Sequence, residues 1–227
     1  DDLIERGIGR AHQYTVIPPG VSLDRAPGRI EAREILDLPP DVPVALFVGR
    51  LTRIKRIDRL IESMDAVLRR LPDTVLVLAG EGDQLERARQ QARPLGSSVR
   101  FLGWRTDLST LYAAADVAVI TSDNEGMPVS LIEASLAGLP SVTTDVGSAG
   151  EVVLEGVTGR VVAATAGSVA DALVGILGDD DLRLRMGEAA REHSEQAFGV
   201  HRLVRDHEVL YRRLISECPT GRRRTPR

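Results

Sequence analysis

Glu125 and Glu133 stand eight residues apart on either side of a Gly126-Met127-Pro128 turn. The spacing puts the first carboxylate on a loop and the second about a turn and a half into the helix that the following apolar pattern predicts. Two carboxylates so placed can hold a polyhydroxy ligand at two points, and the free N–H groups of the helix start between them can take an anion. Pro128 suits the first helical position, where its missing N–H would have been unpaired anyway. The plain structural alternative is that both glutamates only complement the helix dipole. It is weaker for Glu133, which lies among Leu131, Ile132, Ala134 and Leu136. A second group, Gly49-Arg50 with Lys55, follows an earlier apolar run. Two cations there suit a diphosphate, and neutralising charge on a leaving group is often the largest catalytic term. The alternative is a solvated helix start, since Arg53, Arg56 and Arg59 crowd the same stretch. Lys55 is the one lysine in a chain whose Lys+Arg total is 29. Arginine-biased codon usage accounts for the rarity; a need for a compact point charge rather than a planar fork would account for the survivor.

The elements that position these groups follow from periodicity. Val44–Val48, Thr74–Leu78, Val99–Leu102, Val117–Ile120, Pro140–Thr143 and Gly159–Val162 read as continuously apolar strands. Between them, Ile54, Ile57, Leu60, Ile61, Met64, Val67, Leu68 and Leu71 recur at helical spacing and stop before Pro72. Asp83 is expected to cap a polar helix reaching Gly96, Leu108–Ala115 to form a short helix, and the helix after Pro128 to run to Ala137. Ahead of this, Thr15–Ile17 reads as a short strand and Arg29–Leu36 as a helix; beyond Ser168 the chain reads as helical, ending in a helix over about 201–216. Buried strands alternating with helices predict an α/β fold, a doubly wound parallel sheet with added C-terminal helices. In such a sheet ligands bind beyond the carboxyl ends of the strands, where Arg50, Lys55 and Glu125 fall.

Composition narrows the function. The chain of 227 residues is 43% hydrophobic and 27% charged, an ordinary globular balance. Aromatics at 3% argue against a base-stacking platform, and a net charge of −4 argues against a nucleic-acid surface. A lone cysteine, Cys218, makes no internal disulfide, which fits a reducing compartment. No apolar run approaches the roughly 20 residues of a membrane helix. The chain opens on Asp1 rather than Met and is expected to be a fragment of a longer protein. Gly80-Glu81-Gly82 reads as a tight turn without chemistry, and neither a three-glycine dinucleotide fingerprint nor a Walker loop is present. His12, His193, His201 and His207 lack partners at metal spacing. Asp179-Asp180-Asp181 formally matches a metal-binding Asp-x-Asp but sits where a helix N-cap is expected.

Phe47-Val48-Gly49-Arg50-Leu51 with Lys55, Leu78-Ala79-Gly80-Glu81-Gly82, Val99-Arg100-Phe101-Leu102-Gly103 and Glu125-Gly126-Met127-Pro128 through Glu133-Ala134 resemble, in order, the glycosyltransferase group 1 family. These are retaining enzymes of the GT-B architecture (family 4). Ile17-Pro18-Pro19-Gly20-Val21 resembles the segment entering that family's second domain. The resemblance covers about Thr15 to Tyr211 and implies roles. Arg50 and Lys55 would hold the diphosphate of a nucleoside-diphosphate sugar and stabilise it as it leaves, and Glu125 would contact the sugar hydroxyls. Backbone around Gly126, Met127 and Val129 would contact sugar and phosphate, with Gly49 and Pro128 in the same donor-binding set. Glu133 would accept from the ribose hydroxyls, and Trp104-Arg105 would lie against the base. No metal or other cofactor is implied. Pro19, Ser148 and Gly150 depart from the family's usual Asn, Gly and Pro, which bears on loop shape rather than on the charged residues.

The resemblance also implies a domain plan. Residues 1–15 would close a preceding domain or linker, 16–200 form the nucleotide-sugar-binding domain, 201–218 form a helix packing toward an N-terminal acceptor-binding domain, and 219–227 form a basic disordered tail. The expected function is the donor half of a hexosyltransferase of bacterial carbohydrate biosynthesis. It would be cytoplasmic, with contact to the inner membrane face only in the full-length protein, and inactive alone for want of the acceptor domain. A non-catalytic nucleotide-sugar-binding module and a related sugar-nucleotide epimerase are the alternatives.

Overall fold

Six short runs form one sheet whose four inner strands are buried on both faces by the helices between them, while the two edge strands, which carry Arg100 and Arg160, stay partly exposed. A computed structural model describes residues 2–217. The helices are α1 (Asp2–Glu5), α2 (Arg29–Ile35), α3 (Ile57–Arg70), α4 (Leu85–Ala92), α5 (Leu108–Ala114), α6 (Val129–Leu136), α7 (Ala149–Val152), α8 (Ala166–Leu177), α9 (Asp180–Phe198) and α10 (Val200–Glu217). The strands are β1 (Val44–Val48), β2 (Val75–Ala79), β3 (Val99–Gly103), β4 (Val117–Ile120), β5 (Ser141–Thr144) and β6 (Gly159–Val162). All neighbours are parallel and the order is β3-β2-β1-β4-β5-β6, the doubly wound plan expected. The order reverses between β1 and β4, and a crevice at the carboxyl ends of such a pair is where this class of sheet takes ligands. The β1–β4 ladder covers only Ala45↔Val117 and Leu46↔Ala118, whereas β1–β2 continues to Val48↔Ala79.

Alternation along the strands splits the core in two. Ala45, Phe47, Leu76, Leu78, Val117 and Val119 pack with the apolar faces of α3 and α8. Val44, Leu46, Val77, Ala118 and Ile120 pack on the other face with α2, α5 and α6. At the amino ends of β1 and β4, buried Asp116 accepts from Val44 N at 2.8 Å and from Arg33 Nη2 at 2.9 Å. Arg33 is itself buried, its remaining donors spent on the carbonyls of Ala114, Pro39 and Pro40. α10 buries no residue fully but is tied back to the N-terminal segment, Arg202 Nη2 donating to the Pro18 and Pro19 carbonyls at 2.8 and 2.7 Å. No helix among the described residues is long and apolar enough to cross a membrane.

Several local expectations are corrected. Thr15–Ile17 forms no strand; the nearest pairing is Val21, whose N–H donates to Phe198 O at 2.8 Å, so the segment is extended without a ladder. Ile54 lies in a 3-10 turn, Arg53–Lys55, that is separated from α3 by left-handed Arg56 at φ 51°. Asp83 does not cap α4, whose cap position is Gln84, and a second 3-10 stretch, Arg93–Ser98, carries the chain toward β3. Pro128 stands at the N-cap of α6 rather than inside it. Asp179 does cap α9, accepting from Leu182 N at 2.9 Å. Cys218 and the terminal residues expected to form a disordered tail lie outside the described residues.

Candidate functional site

The cleft begins where β1 and β4 part. After β1, Gly49 (φ 156°) turns the chain, and the Gly49 N–H donates to Ala79 O at 3.0 Å. Gly80 faces it so closely that a Cβ there would lie 1.9 Å from Gly49 O. Gly82 does the same against Leu51 O at 2.2 Å. The Gly80-Glu81-Gly82 turn therefore has a job the sequence did not show: it lets the loops after β1 and β2 touch and form the cleft floor.

The 3-10 turn carrying Lys55 is fixed from the β4 side. Thr121 Oγ1 donates toward the carbonyls of Lys55 and Arg56 at 3.2 and 3.0 Å, and Asp123 N donates to Ile54 O at 2.9 Å. The arginines crowding this region divide by role. Arg59 is buried, donating to Thr121 O and Asp123 Oδ1 at 2.7 Å each, and Arg56 bridges Asp58 and Asp123. The Arg56 guanidinium holds the Asp58 carboxyl below the usual carboxylate range. Arg50 is exposed at the cleft edge and has no ion pair among the described residues. Lys55 Nζ lies 2.5 Å from Glu125 Oε1, with side-chain exposures of 23% and 8%. Buried Ser122 donates to the same carboxylate oxygen, and Ser122 O in turn accepts from Thr144 Oγ1 at 2.7 Å. Behind Glu125 lies Gly147 at φ 53°, where a Cβ would fall 1.8 Å from Glu125 O.

Glu133 enters from the second turn of α6. Its Oε2 accepts from the hydroxyl of Tyr112, on α5, at 2.8 Å. Burial pushes the Glu133 carboxyl upward and the Tyr112 hydrogen bond works against that shift. Burial, with the neighbouring carboxylate, pushes the Tyr112 phenol strongly upward. At the rim, Trp104 is 69% exposed, and Arg105 is locked onto Asp107 through Nε at 2.8 Å and Nη2 at 2.5 Å.

Together these residues enclose about 740 Å³. Gly49, Arg50, Lys55, Trp104, Arg105, Glu125, Met127, Pro128, Val129 and Glu133 all line it, so sequence positions up to 84 apart converge on one cleft. Gly126 does not; it is exposed, with open space around its Cβ position. Sequence reasoning missed Tyr112, Ser122 and the role of Gly147. The first reads as an apolar helix residue and the second as a strand end, so no local signal marks either. The cleft thus presents two cations at one strand end, a carboxylate at the next, and a helix start whose Val129 and Ser130 N–H groups have no capping side chain. That arrangement can bind a diphosphate in its middle and hydroxylated groups at both flanks.

Comparison with known proteins places the fold and the sequence in a family. The family model for glycosyl transferases group 1 matches residues 28–193. The D-inositol 3-phosphate glycosyltransferase of Corynebacterium aurimucosum is 35% identical over 211 residues, covering 86% of this chain and 50% of the relative. Sucrose-phosphate synthase from Thermosynechococcus elongatus superposes with a TM-score of 0.82 at 31% identity, over 96% of this chain and 56% of that one. Anabaena HepE in complex with UDP and glucose superposes with a TM-score of 0.82 at 26% identity, over 94% of this chain and 59% of that one. The chain spans about half the length of the curated relatives it matches.

Proposed function

The chain belongs to the glycosyl transferases group 1 family, and from that premise we propose that it is the donor-binding half of a retaining glycosyltransferase that uses a nucleoside-diphosphate sugar. The observation that carries the reading is the convergence of Arg50, Lys55, Glu125 and Glu133 on one cleft at the topological switch between β1 and β4. The diphosphate lies between Arg50, Lys55 and the N–H groups at the start of α6, which also suit an anion through the helix dipole. As the bond between the sugar's anomeric carbon and the phosphate oxygen breaks, charge builds on the departing diphosphate, and the two cations neutralise it. They do the work a metal ion would otherwise do, so binding is expected to survive chelators. Glu125 accepts from the sugar hydroxyls once Lys55 turns to phosphate. Glu133 accepts from the ribose, and Trp104 offers an exposed ring beside the base. The acceptor is bound by the other half of the enzyme, so the chain alone binds donor without transferring sugar. HepE, similar over most of this chain, was solved with UDP and glucose, which supports starting with uridine nucleotides.

Titration calorimetry of UDP, GDP and ADP and their sugars tests this, with quenching of Trp104 as a second readout. Saturable binding of one nucleotide, clearly weakened in Glu133→Ala and Lys55→Ala, is expected. Absence of binding to any of them refutes the proposal for this chain.

A further inference from the structure

Resting on that donor reading, we infer that Tyr112 is a positioning residue that sets how tightly the cleft holds a ribose, by fixing Glu133 through its phenolic hydroxyl. Tyr112 is 1% exposed and has no surface in the cleft, so it touches no ligand directly. Its ring is locked within the apolar layer that includes Leu111, Ala114 and Ile132, which places the hydroxyl rather than letting it search. That hydroxyl has one proton and two acceptors within reach, Glu133 Oε2 at 2.8 Å and Ser130 O at 3.2 Å. The shorter bond goes to the carboxylate, and a hydroxyl donating to a charged oxygen makes the stronger of the two bonds.

The consequence for Glu133 is geometric. A glutamate on the second turn of a helix has three side-chain torsions to fix, and a lining side chain free in all of them would have to lose that freedom when ligand arrives. With Oε2 held by Tyr112, the carboxylate plane is set before binding. One oxygen is engaged and Oε1 is left to accept from a ribose hydroxyl. The other charged groups facing the cleft do not compete for this role. Lys55 and Glu125 pair with each other, Arg105 pairs with Asp107, and Arg50 stands at the edge of β1. The same bond stabilises the ionised form of a carboxylate that burial disfavours, so the position and the charge of Glu133 rest on one hydroxyl.

The test compares Tyr112→Phe with wild type against two probes: the nucleoside diphosphate the wild type binds and its 2′,3′-dideoxy analogue. Affinities are read by calorimetry and folding by thermal denaturation. Loss of one charge-assisted hydrogen bond to the ribose acceptor is expected to weaken the ribonucleotide roughly tenfold. The dideoxy analogue, which has no hydroxyl for Glu133, is expected to change less than about twofold. A difference between the two losses smaller than about threefold overturns the inference, because a general loosening of the fold weakens both alike. Tyr112→Met, which keeps an apolar side chain without a donor, serves if the Phe variant does not fold. A wild type that binds no nucleoside diphosphate defeats the donor reading itself. One that binds both probes equally defeats the role given to Glu133. Tyr112 variants that weaken both probes alike leave donor binding standing and defeat only the part given to Tyr112.

Discussion

Glu125→Gln is expected to strengthen the binding of a bare nucleoside diphosphate while weakening the advantage of its sugar. Lys55 is engaged with Glu125 at 2.5 Å, and the pair is largely shielded, at 23% and 8% side-chain exposure. A hydrogen bond between charged groups contributes about 1.5–3 kcal/mol. A diphosphate that recruits Lys55 must first draw it from the carboxylate. Glutamine removes the competing charge but keeps an oxygen for Ser122, so the loop is not stripped of its internal bond. If about 1 kcal/mol of the pairing energy is no longer lost on binding, diphosphate affinity rises about fivefold. The sugar-nucleotide loses the carboxylate that would accept from its hydroxyls, so the ratio of sugar-nucleotide to nucleotide affinity falls. Calorimetry with both ligands measures the two effects. A double-mutant cycle with Lys55→Met isolates the coupling, and in that background Glu125→Gln should alter diphosphate affinity less than about twofold. Unchanged or weaker diphosphate binding in Glu125→Gln alone would refute the reasoning, since it would show that Lys55 is not contested.

Gly147→Ala is expected to reduce donor binding more than about tenfold without touching ligand. Its Cβ would fall 1.8 Å from Glu125 O at a φ of 53°, and strain of about 1–3 kcal/mol would be relieved by moving the Glu125 loop; calorimetry checks the affinity. Arg33→Met removes the buried partner of the Asp116 carboxylate, which keeps Arg29 at 2.7 Å and Arg183 at 3.5 Å, so chemical denaturation should show a loss smaller than the about 3–5 kcal/mol of a wholly unpaired buried charge, with the donor site otherwise intact. Asp58 has its folded pKa lowered by the hydrogen bond from Arg56, so its contribution is present above the unfolded value of about 3.9 and is lost as pH falls through the folded one. Melting temperatures of wild type and Asp58→Asn should therefore converge below about pH 4 and differ above it. Donor affinity measured with and without a chelator should agree within twofold if Arg50 and Lys55 carry the charge neutralisation; a larger loss would assign part of it to a metal.

What the sequence made legible depended on how local the cause was. β1 and β4 fall where their apolar runs predict because burial on both faces leaves no polar position to blur the ends. Glu125 and Glu133 were readable because a strand end, a turn and a helix start fix both within one stretch of chain. The break at Arg56 was not readable. Ile54 and Ile57 keep helical spacing, and the chain departs from it because Thr121, far away in sequence, takes the carbonyls of Lys55 and Arg56. Tyr112 escaped notice for the same reason: its value lies in a bond to a residue 21 positions on, while its own neighbourhood reads only as core. Thr15–Ile17 has the composition of a strand but no strand partner among the described residues, and composition cannot supply one.

The unequal lengths of the two central ladders have a consequence for how this scaffold diversifies. β1 stays joined to β2 as far as Val48 but parts from β4 after Leu46, so the cleft is a fork with one tine on each side of the sheet's midline. On the donor reading the diphosphate occupies the crotch of that fork. The base then lies toward the loop after β3, beside Trp104, and the sugar toward the loop after β4, beside Glu125. The two specificities are housed on separate loops that meet only at the phosphate. Grafting the loop after β3 from a relative with a different base preference should exchange the nucleotide and leave the sugar unchanged, and the reciprocal graft should do the reverse.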